Sequence, residues 1–303
     1  MFIKLPKILK NTTNMTAATI SRISLNQRAP IRAIPPSLIE QGIQTRLRRN
    51  HAWLEMGEGE PIIYLHGLMG GVFNCPQVFG QLSAHFRMIM PFQPMYDLPK
   101  EQTNCAGLAA YLLSFINELR LPQVTIIGHS TGGCVATHFA ATNPERVKAL
   151  ILTGSAGLSN TPLNTGFIQR KNPEYIYEGM QAIYADPSVA DPKAAQEVYE
   201  ASQNSDTLGH ILRLTRDVTI NKTYHLLPKI AAPTLLLWGD TDMITPTSCA
   251  HDFHNLIPNS ELHFLDKCGH APLQEFPEQS LFIIENFLGK ALKTNFVEET
   301  AFI

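Results

Sequence analysis

The segment GHSTG at residues 128–132 combines a nucleophilic side chain with a backbone that can expose it. A β-branched run at 124–127 precedes it, and small and apolar residues at helical spacing follow as far as Asn143-Pro144. This order predicts a buried strand, a sharp turn and a helix that proline ends. In a G-x-S-x-G turn the serine hydroxyl is exposed at a helix N-terminus, where backbone N–H groups favour negative charge. The segment therefore predicts a nucleophilic Ser130, although a serine that only caps a helix also matches it.

Two further segments carry the acid and the base that a serine nucleophile requires. The apolar run 233–238 ends in GDTD at 239–242, and the run 261–265 is followed by GHAP at 269–272. Carboxylates at the end of a buried strand cost several kcal/mol of folding free energy unless they have partners. Because the carboxyl ends of parallel strands meet at one edge of a sheet, we expect these groups to approach Ser130.

A glycine-rich turn, HGLMGG at 66–71, follows the apolar run PIIYL at 61–65. Glycines at the end of a parallel strand let the backbone turn its N–H groups towards a ligand. The amides of Leu68 and Thr131 are therefore candidate donors to an oxyanion. An ordinary strand-to-helix loop is the alternative interpretation. His66 is expected to brace this loop by hydrogen bonds.

The elements around these segments alternate in a way that defines the fold class. Strand, helix, strand, helix, strand along the chain predicts an α/β fold with a mostly parallel, doubly wound sheet. An antiparallel pair is predicted over 44–56, with its turn at Arg49-Asn50. The other predicted strands are 61–65, 87–91, 124–127, 147–153, 233–238 and 261–265, and the main predicted helices are 102–119, 131–142 and 275–288.

This alternation stops between residues 158 and 227. Three stretches there, 175–184, 194–201 and 208–218, have helical periodicity. A helical insertion before the acid-bearing strand predicts a lid over the edge where Ser130 lies. Side chains predicted to line a substrate pocket beneath it are Met69, His129, Tyr175 and Tyr184, although tyrosines at helical spacing also serve packing.

Four motifs, HGLMGG at 66–71, GHSTGG at 128–133, WGDTD at 238–242 and GHAP at 269–272, resemble those of the α/β-hydrolase family, over roughly residues 40 to 290. The resemblance implies an oxyanion loop, a nucleophile elbow, an acid loop and a histidine loop. It also implies an esterase-like serine hydrolase with a helical lid and the catalytic residues Ser130, Asp242 and His270. The implied domains are a basic, disordered extension at 1–38, a core at 39–157 and 228–303, and a lid at 158–227.

Two assignments within these motifs have alternatives. The family pattern G-x-x-D selects Asp242 as the acid, and Asp240 is then expected to bond to backbone amides. His270 is preferred to His263 as the base because His263 lies inside a predicted strand. Many members of this family with a helical lid carry an aspartate where this chain has Phe92. Because of this difference, the resemblance does not assign a substrate.

The composition limits the functions that need to be considered. The 303 residues are 44% apolar, the net charge is -2, and no apolar run is long enough for a transmembrane helix. We therefore expect a small-molecule substrate, no nucleic-acid partner and no stable insertion into a membrane. Five widely spaced cysteines indicate a reducing compartment, and the chemistry requires neither metal nor cofactor. His251 and His254 lack a third ligand and are interpreted as surface residues.

The first 50 residues have nine basic residues and only one acid, Glu40. Residues 1–38 are expected to be a dispensable disordered tail in a cytoplasmic protein, an organelle transit peptide, or sequence upstream of a true start at Met15. These possibilities concern location and do not change the interpretation of the site.

The favoured function is hydrolysis of a small to medium, largely apolar carboxylic ester through an acyl-enzyme. The same residues also suit thioester, carbon–carbon bond, peracid or acyl-transfer chemistry. A ligand-sensing protein that turns over slowly is a hypothesis of a different class. A turnover below roughly one per minute on every substrate would favour it, because enzymes typically reach about 1 to 1,000 per second.

Overall fold

A computed structural model describes residues 39–49, 51–68, 75–159 and 169–293. Its strands form one eight-stranded sheet in the order β1-β2-β4-β3-β5-β6-β7-β8. The strands are β1 (Gln44–Arg48), β2 (His51–Met56), β3 (Pro61–Leu65), β4 (Arg87–Pro91), β5 (Val124–His129), β6 (Val147–Thr153), β7 (Thr234–Gly239) and β8 (Ser260–Leu265).

Helices follow most of the parallel strands. They are α1 (Pro76–Leu82), α2 (Cys105–Glu118), α3 (Thr131–Thr142), α4 (Pro173–Gln181), α5 (Pro192–Gln203), α6 (Ser205–Ile220), α7 (Thr247–Leu256), α8 (Pro272–Glu275) and α9 (Pro277–Leu292). The predicted α/β class with a mostly parallel sheet is confirmed, since only the β1–β2 and β2–β4 pairs are antiparallel.

The central strands are buried on both faces because their side chains are apolar at nearly every position. One apolar cluster lies on the face that α2 and α3 cover, and a second lies on the face that α1 and α9 cover. Alternate residues of one strand divide between them, as Ile126 in the first cluster and Ile127 in the second show. The two apolar clusters hold the sheet rigidly between its helices. They therefore fix the positions of the carboxyl ends of β3, β5, β7 and β8, which lie at one edge of the sheet.

The predicted closing helix over 275–288 differs from the structure. The chain forms α8 first, breaks at Phe276 with φ -133°, and restarts as α9 at Pro277. Proline at the first helical position suits a new helix start, because its missing N–H would have no helical acceptor there. The seven-residue helix α1 was not predicted.

Helices α4, α5 and α6 form the segment between β6 and β7, and the described part of 158–227 contains no strand. Each helix begins at a polar residue whose side chain accepts a hydrogen bond from a backbone N–H of the first turn: Asn172, Asp191 and Asn204. The helix α6 docks on the core through His210 Nε2, 3.0 Å from Leu98 O, and Asp217 Oδ2, 2.8 Å from Cys105 N.

Some predictions concern residues outside the described ranges. These are the extension 1–38, residues 69–71 of HGLMGG and residues 160–168 of the helical segment. Among the described helices, none is long and apolar enough to cross a bilayer.

Candidate active site

Ser130 lies in the turn between β5 and α3 with φ 53° and ψ -119°. A positive φ is uncommon for a residue with a side chain, and it persists only where the surroundings hold the backbone. Here the surroundings are too close for side chains at the flanking glycines. A Cβ on Gly132 would lie 2.1 Å from Leu65 O, and one on Gly128 would lie 2.8 Å from Gly132 O. Glycines are therefore required at both positions of this turn.

Ser130, His270 and Asp242 form a continuous chain of hydrogen bonds. His270 Nε2 lies 2.9 Å from Ser130 Oγ, and His270 Nδ1 lies 2.9 Å from Asp242 Oδ2. All three side chains are buried, with the serine 9%, the histidine 4% and the aspartate 3% exposed. The arrangement has the geometry in which a histidine can take a proton from a serine hydroxyl while a carboxylate orients the ring.

Asp242 is a fully partnered carboxylate. Its Oδ1 accepts hydrogen bonds from the amides of Ile244 and Thr245, each at 2.8 Å, and its Oδ2 accepts one from Thr245 Oγ1 at 2.7 Å. Burial by itself raises the pKa of Asp242, but His270 and the hydrogen bonds from Thr245 outweigh it and hold the pKa below its ordinary value. The carboxylate is therefore charged at neutral pH and can accept the hydrogen bond from His270 Nδ1.

The sequence did not single out Thr245. Its hydroxyl also lies 3.3 Å from His270 Nδ1, so it contacts both the acid and the base. A short polar residue three positions after an aspartate is typical of a turn closed by side-chain hydrogen bonds. This spacing is the only feature of the sequence that could have identified Thr245.

The proposed oxyanion donors lie on either side of the serine. Thr131 is the first residue of α3, so its N–H has no acceptor within the helix. A Cβ on Gly67 would lie 3.1 Å from Ser130 Cβ, which brings the backbone just before Leu68 against the serine. Their role as donors remains a proposal, and its support is this proximity.

His129 packs against the base. The two ring centroids are 5.0 Å apart, and His129 Nδ1 lies 3.0 Å from Thr153 O. Because a carbonyl oxygen only accepts hydrogen bonds, Nδ1 carries the proton. Burial, reinforced by the nearby His270, lowers the pKa of His129 to about 3, so the ring is neutral at pH 7.

The other residues predicted to line the pocket are Met69, Tyr175 and Tyr184. Met69 lies outside the described residues. Tyr184 lies beside the His270 loop, and its hydroxyl donates to Gln274 Oε1 at 3.0 Å. Tyr175 is half-buried on α4. That His129, Tyr175 and Tyr184 contact substrate remains a proposal.

Asp240 and His66 brace loops, as the sequence indicated. Asp240 Oδ1 accepts a hydrogen bond from Cys268 N at 3.2 Å, and His66 Nδ1 lies 2.7 Å from Gly67 O. Gln93, which the sequence did not single out, donates from Nε2 to His66 O at 3.2 Å. Phe92 packs against the apolar cluster on the α1 and α9 face.

Potential metal ligands do not cluster in the described part of the chain, where no group of three such side chains has suitable geometry. His251 and His254 are exposed on α7, where one ring contacts Phe264 and the other hydrogen-bonds Ser260. All five cysteines are buried, free thiols.

Comparisons with known proteins agree on the fold. The model of the alpha/beta hydrolase fold family matches residues 60–191. A 2-hydroxy-6-oxononadienedioate/2-hydroxy-6-oxononatrienedioate hydrolase of Paraburkholderia phymatum is 26% identical over 84% of this chain and 94% of its own.

Two solved structures are also similar. An alpha/beta hydrolase enzyme, MGS-MChE2, from the metagenome of lagoon sediments at Mar Chica, Morocco, is 29% identical, with a TM-score of 0.66 over 82% of this chain and 98% of that one. A thermophilic esterase from Thermogutta terrifontis shares the fold, with 24% identity and a TM-score of 0.67 over 80% of this chain and 93% of that one.

Proposed function

We propose that the chain is a serine hydrolase that cleaves a small to medium, largely apolar carboxylic ester, and the match of residues 60–191 to the alpha/beta hydrolase fold family supports this. The observation that carries the proposal is the hydrogen-bonded chain from Ser130 through His270 to Asp242, with 2.9 Å at each step. A serine hydroxyl is a poor nucleophile near neutral pH, and a base at this distance activates it.

The reaction proceeds in two halves. His270 Nε2 takes the proton of Ser130 Oγ as the oxygen attacks the ester carbonyl, and then gives that proton to the departing alcohol. Water then attacks the carbonyl of the acyl-enzyme in the same way, with His270 taking its proton and returning it to Ser130 Oγ, and the carboxylic acid is released. Asp242 keeps the Nδ1 proton in place and stabilises the imidazolium.

The carbonyl oxygen becomes negative in both halves. In this proposal it is bound by the N–H groups of Leu68 and Thr131, and a donor of this kind contributes about 3 to 4 kcal/mol to catalysis. The N-terminus of α3 adds favourable electrostatic potential at the same point.

The segment 158–227 acts as the lid over this site in the same proposal. Support comes from its contacts with the loops at the carboxyl ends of the strands. Ile183 O accepts a hydrogen bond from His270 N at 2.8 Å. Helix α6 contacts Leu98, between β4 and α2, through His210, and the first residue of α2, Cys105, through Asp217. A lid in this position excludes water and shapes the acyl pocket.

Reaction with a fluorophosphonate probe tests the proposal directly. We expect stoichiometric labelling of the Ser130 peptide, found by mass spectrometry, and loss of labelling in Ser130→Ala and His270→Ala. Short-chain p-nitrophenyl esters of increasing acyl length then define the pocket. A folded protein that shows neither labelling nor ester turnover would contradict the proposal.

Hydrolysis of a carbon–carbon bond is the second candidate, because the relative from Paraburkholderia phymatum is named a 2-hydroxy-6-oxononadienedioate/2-hydroxy-6-oxononatrienedioate hydrolase. The two reactions differ in the leaving group, which is an alkoxide in the ester and a conjugated carbanion in the dienoate. Assays of one protein sample with both substrate classes separate them. A kcat/KM for a 2-hydroxy-6-oxo-dienoate at least 100-fold above that for every ester would select the second candidate.

A further inference from the structure

The loop that carries His270 is buried from Cys268 to Ala271. Its backbone N–H groups therefore need acceptors, because an unpaired buried N–H destabilises the fold. These acceptors also determine where the imidazole ring lies, since the ring is attached to the middle of the loop.

A single carboxylate supplies acceptors on both sides of the histidine. Gly269 N lies 3.0 Å from Glu275 Oε1 and 3.1 Å from Oε2, and Ala271 N lies 3.3 Å from Oε1. Helix α8 carries Glu275 back to the loop within one turn, with Glu275 N donating to Ala271 O at 2.9 Å. Hydrogen bonds to a charged acceptor are stronger than those between neutral groups.

The same carboxylate also binds the helical segment between β6 and β7. Ala185 N donates to Glu275 Oε2 at 2.8 Å, and His270 N donates to Ile183 O at 2.8 Å. The two backbones are in direct contact, because a Cβ on Gly269 would lie 2.6 Å from Ala185 N. The segment 183–185 and the histidine loop therefore meet at Glu275.

We propose that Glu275 is a positioning residue for His270, an inference that rests on the proposed serine hydrolase function. It does not touch the reacting atoms. Its carboxylate holds the amides before and after the histidine and fixes the lid segment against them. Without it, two loop amides and one lid amide lose their acceptor, and the 2.9 Å approach of His270 Nε2 to Ser130 Oγ relaxes. A displacement of about 1 Å at a catalytic group can slow a reaction roughly 100-fold.

The variants Glu275→Ala and Glu275→Gln test this in the full chain. We measure kcat and KM on the best ester and the second-order rate of fluorophosphonate labelling, with circular dichroism to establish folding. Glu275→Ala should lower kcat and the labelling rate roughly 10- to 100-fold while KM changes less than twofold. Glu275→Gln should be intermediate, because its amide retains one oxygen acceptor. If Glu275→Ala does not fold, Glu275→Gln alone decides by the same criteria.

Glu278→Ala is the matched control, since Glu278 is an exposed acid in the first turn of α9. It should leave all three quantities unchanged. A folded Glu275→Ala with kcat and labelling within twofold of the unaltered protein would overturn the inference, as would a rise in KM alone. An unaltered protein that neither labels nor hydrolyses esters would instead overturn the proposed function, so the two failures are distinguishable.

Discussion

His270 Nε2 and Ser130 Oγ lie 2.9 Å apart, although 140 residues separate them in the chain. Each side chain is brought there by the strand that precedes it, β5 for the serine and β8 for the histidine. These strands do not pair directly, because β6 and β7 lie between them. The contact therefore depends on the turn that carries Ser130 and on residues 266–270, which bring His270 across the edge of the sheet, and this makes the site sensitive to changes in its supports.

Asp242→Asn should lower kcat about 1,000- to 10,000-fold with little change in KM. An asparagine can present its amide N–H to the ring and stabilise the wrong tautomer, and it lacks the charge that stabilises the imidazolium. Ester hydrolysis at pH 7 to 8 measures the effect. Asp240→Asn is the control, because it keeps an oxygen for Cys268 N and should lose less than tenfold. If Asp240→Asn lowered kcat more than Asp242→Asn, Asp240 and not Asp242 would be the catalytic acid.

Thr245→Val should reduce kcat by roughly 10- to 100-fold. The change removes the hydroxyl that donates to Asp242 Oδ2 at 2.7 Å and leaves a buried carboxylate oxygen with one partner fewer. Loss of a hydrogen bond to a charged group typically costs about 1.5 to 3 kcal/mol. Thr245→Ser keeps the hydroxyl and should retain most of the activity. Equal kcat in Thr245→Val and the unaltered protein would contradict the prediction.

Gly132→Ala should destabilise the fold by about 3 kcal/mol, because the added Cβ would lie 2.1 Å from Leu65 O and backbone must move. Urea unfolding followed by circular dichroism measures this change in the free energy of unfolding. Gly209→Ala is the opposite control. A Cβ there meets nothing within 4 Å inside α6, so alanine should stabilise the protein by about 0.5 to 1 kcal/mol. Similar effects of the two substitutions would contradict the packing argument.

The lowered pKa of His129 predicts acid sensitivity. Burial, with His270 nearby, lowers it to about 3, whereas a histidine in the unfolded chain has an ordinary pKa near 6.5. Between these values the unfolded chain binds a proton at this position that the folded chain does not. The free energy of unfolding therefore falls as pH falls through this window, by up to about 1.4 kcal/mol per pH unit from this group.

His129→Gln isolates this contribution, because glutamine is neutral at every pH. Urea midpoints measured from pH 7 to pH 4.5 should fall less steeply in the variant than in the unaltered protein. Identical slopes would show that His129 takes up its proton in the folded state as readily as in the unfolded state.

Local sequence patterns predicted most helices and strands, because the formation of a helix or strand depends on a few neighbouring residues. The run PIIYL forms β3 over the predicted residues, and GHSTG lies between β5 and α3. The structure differs from the prediction at the closing helix and contains a short helix, α1, that was not predicted. Pro277 divides the closing helix in two, and the short α1 had no clear periodicity.

The supporting residues of the site had no comparable signal. Thr245 and Glu275 are ordinary loop and helix residues until Asp242 and the amides of Gly269 and Ala271 lie within hydrogen-bond reach of them. Gln93 likewise matters only because β4 ends beside β3 and brings its amide to His66 O.

By itself the amino-acid sequence determined the strand and helix content, the tight serine turn and the set of residues able to act as nucleophile, base and acid. The physical reason is that hydrophobic periodicity and glycine backbone freedom act over a few residues. Only the tertiary structure decided that Asp242 Oδ2 contacts His270 while Asp240 bonds to Cys268 N. It also decided that Glu275 joins the histidine loop to Ala185, in the helical segment between β6 and β7. Such hydrogen bonds depend on distances of a few tenths of an ångström between segments that come together only when the whole sheet packs.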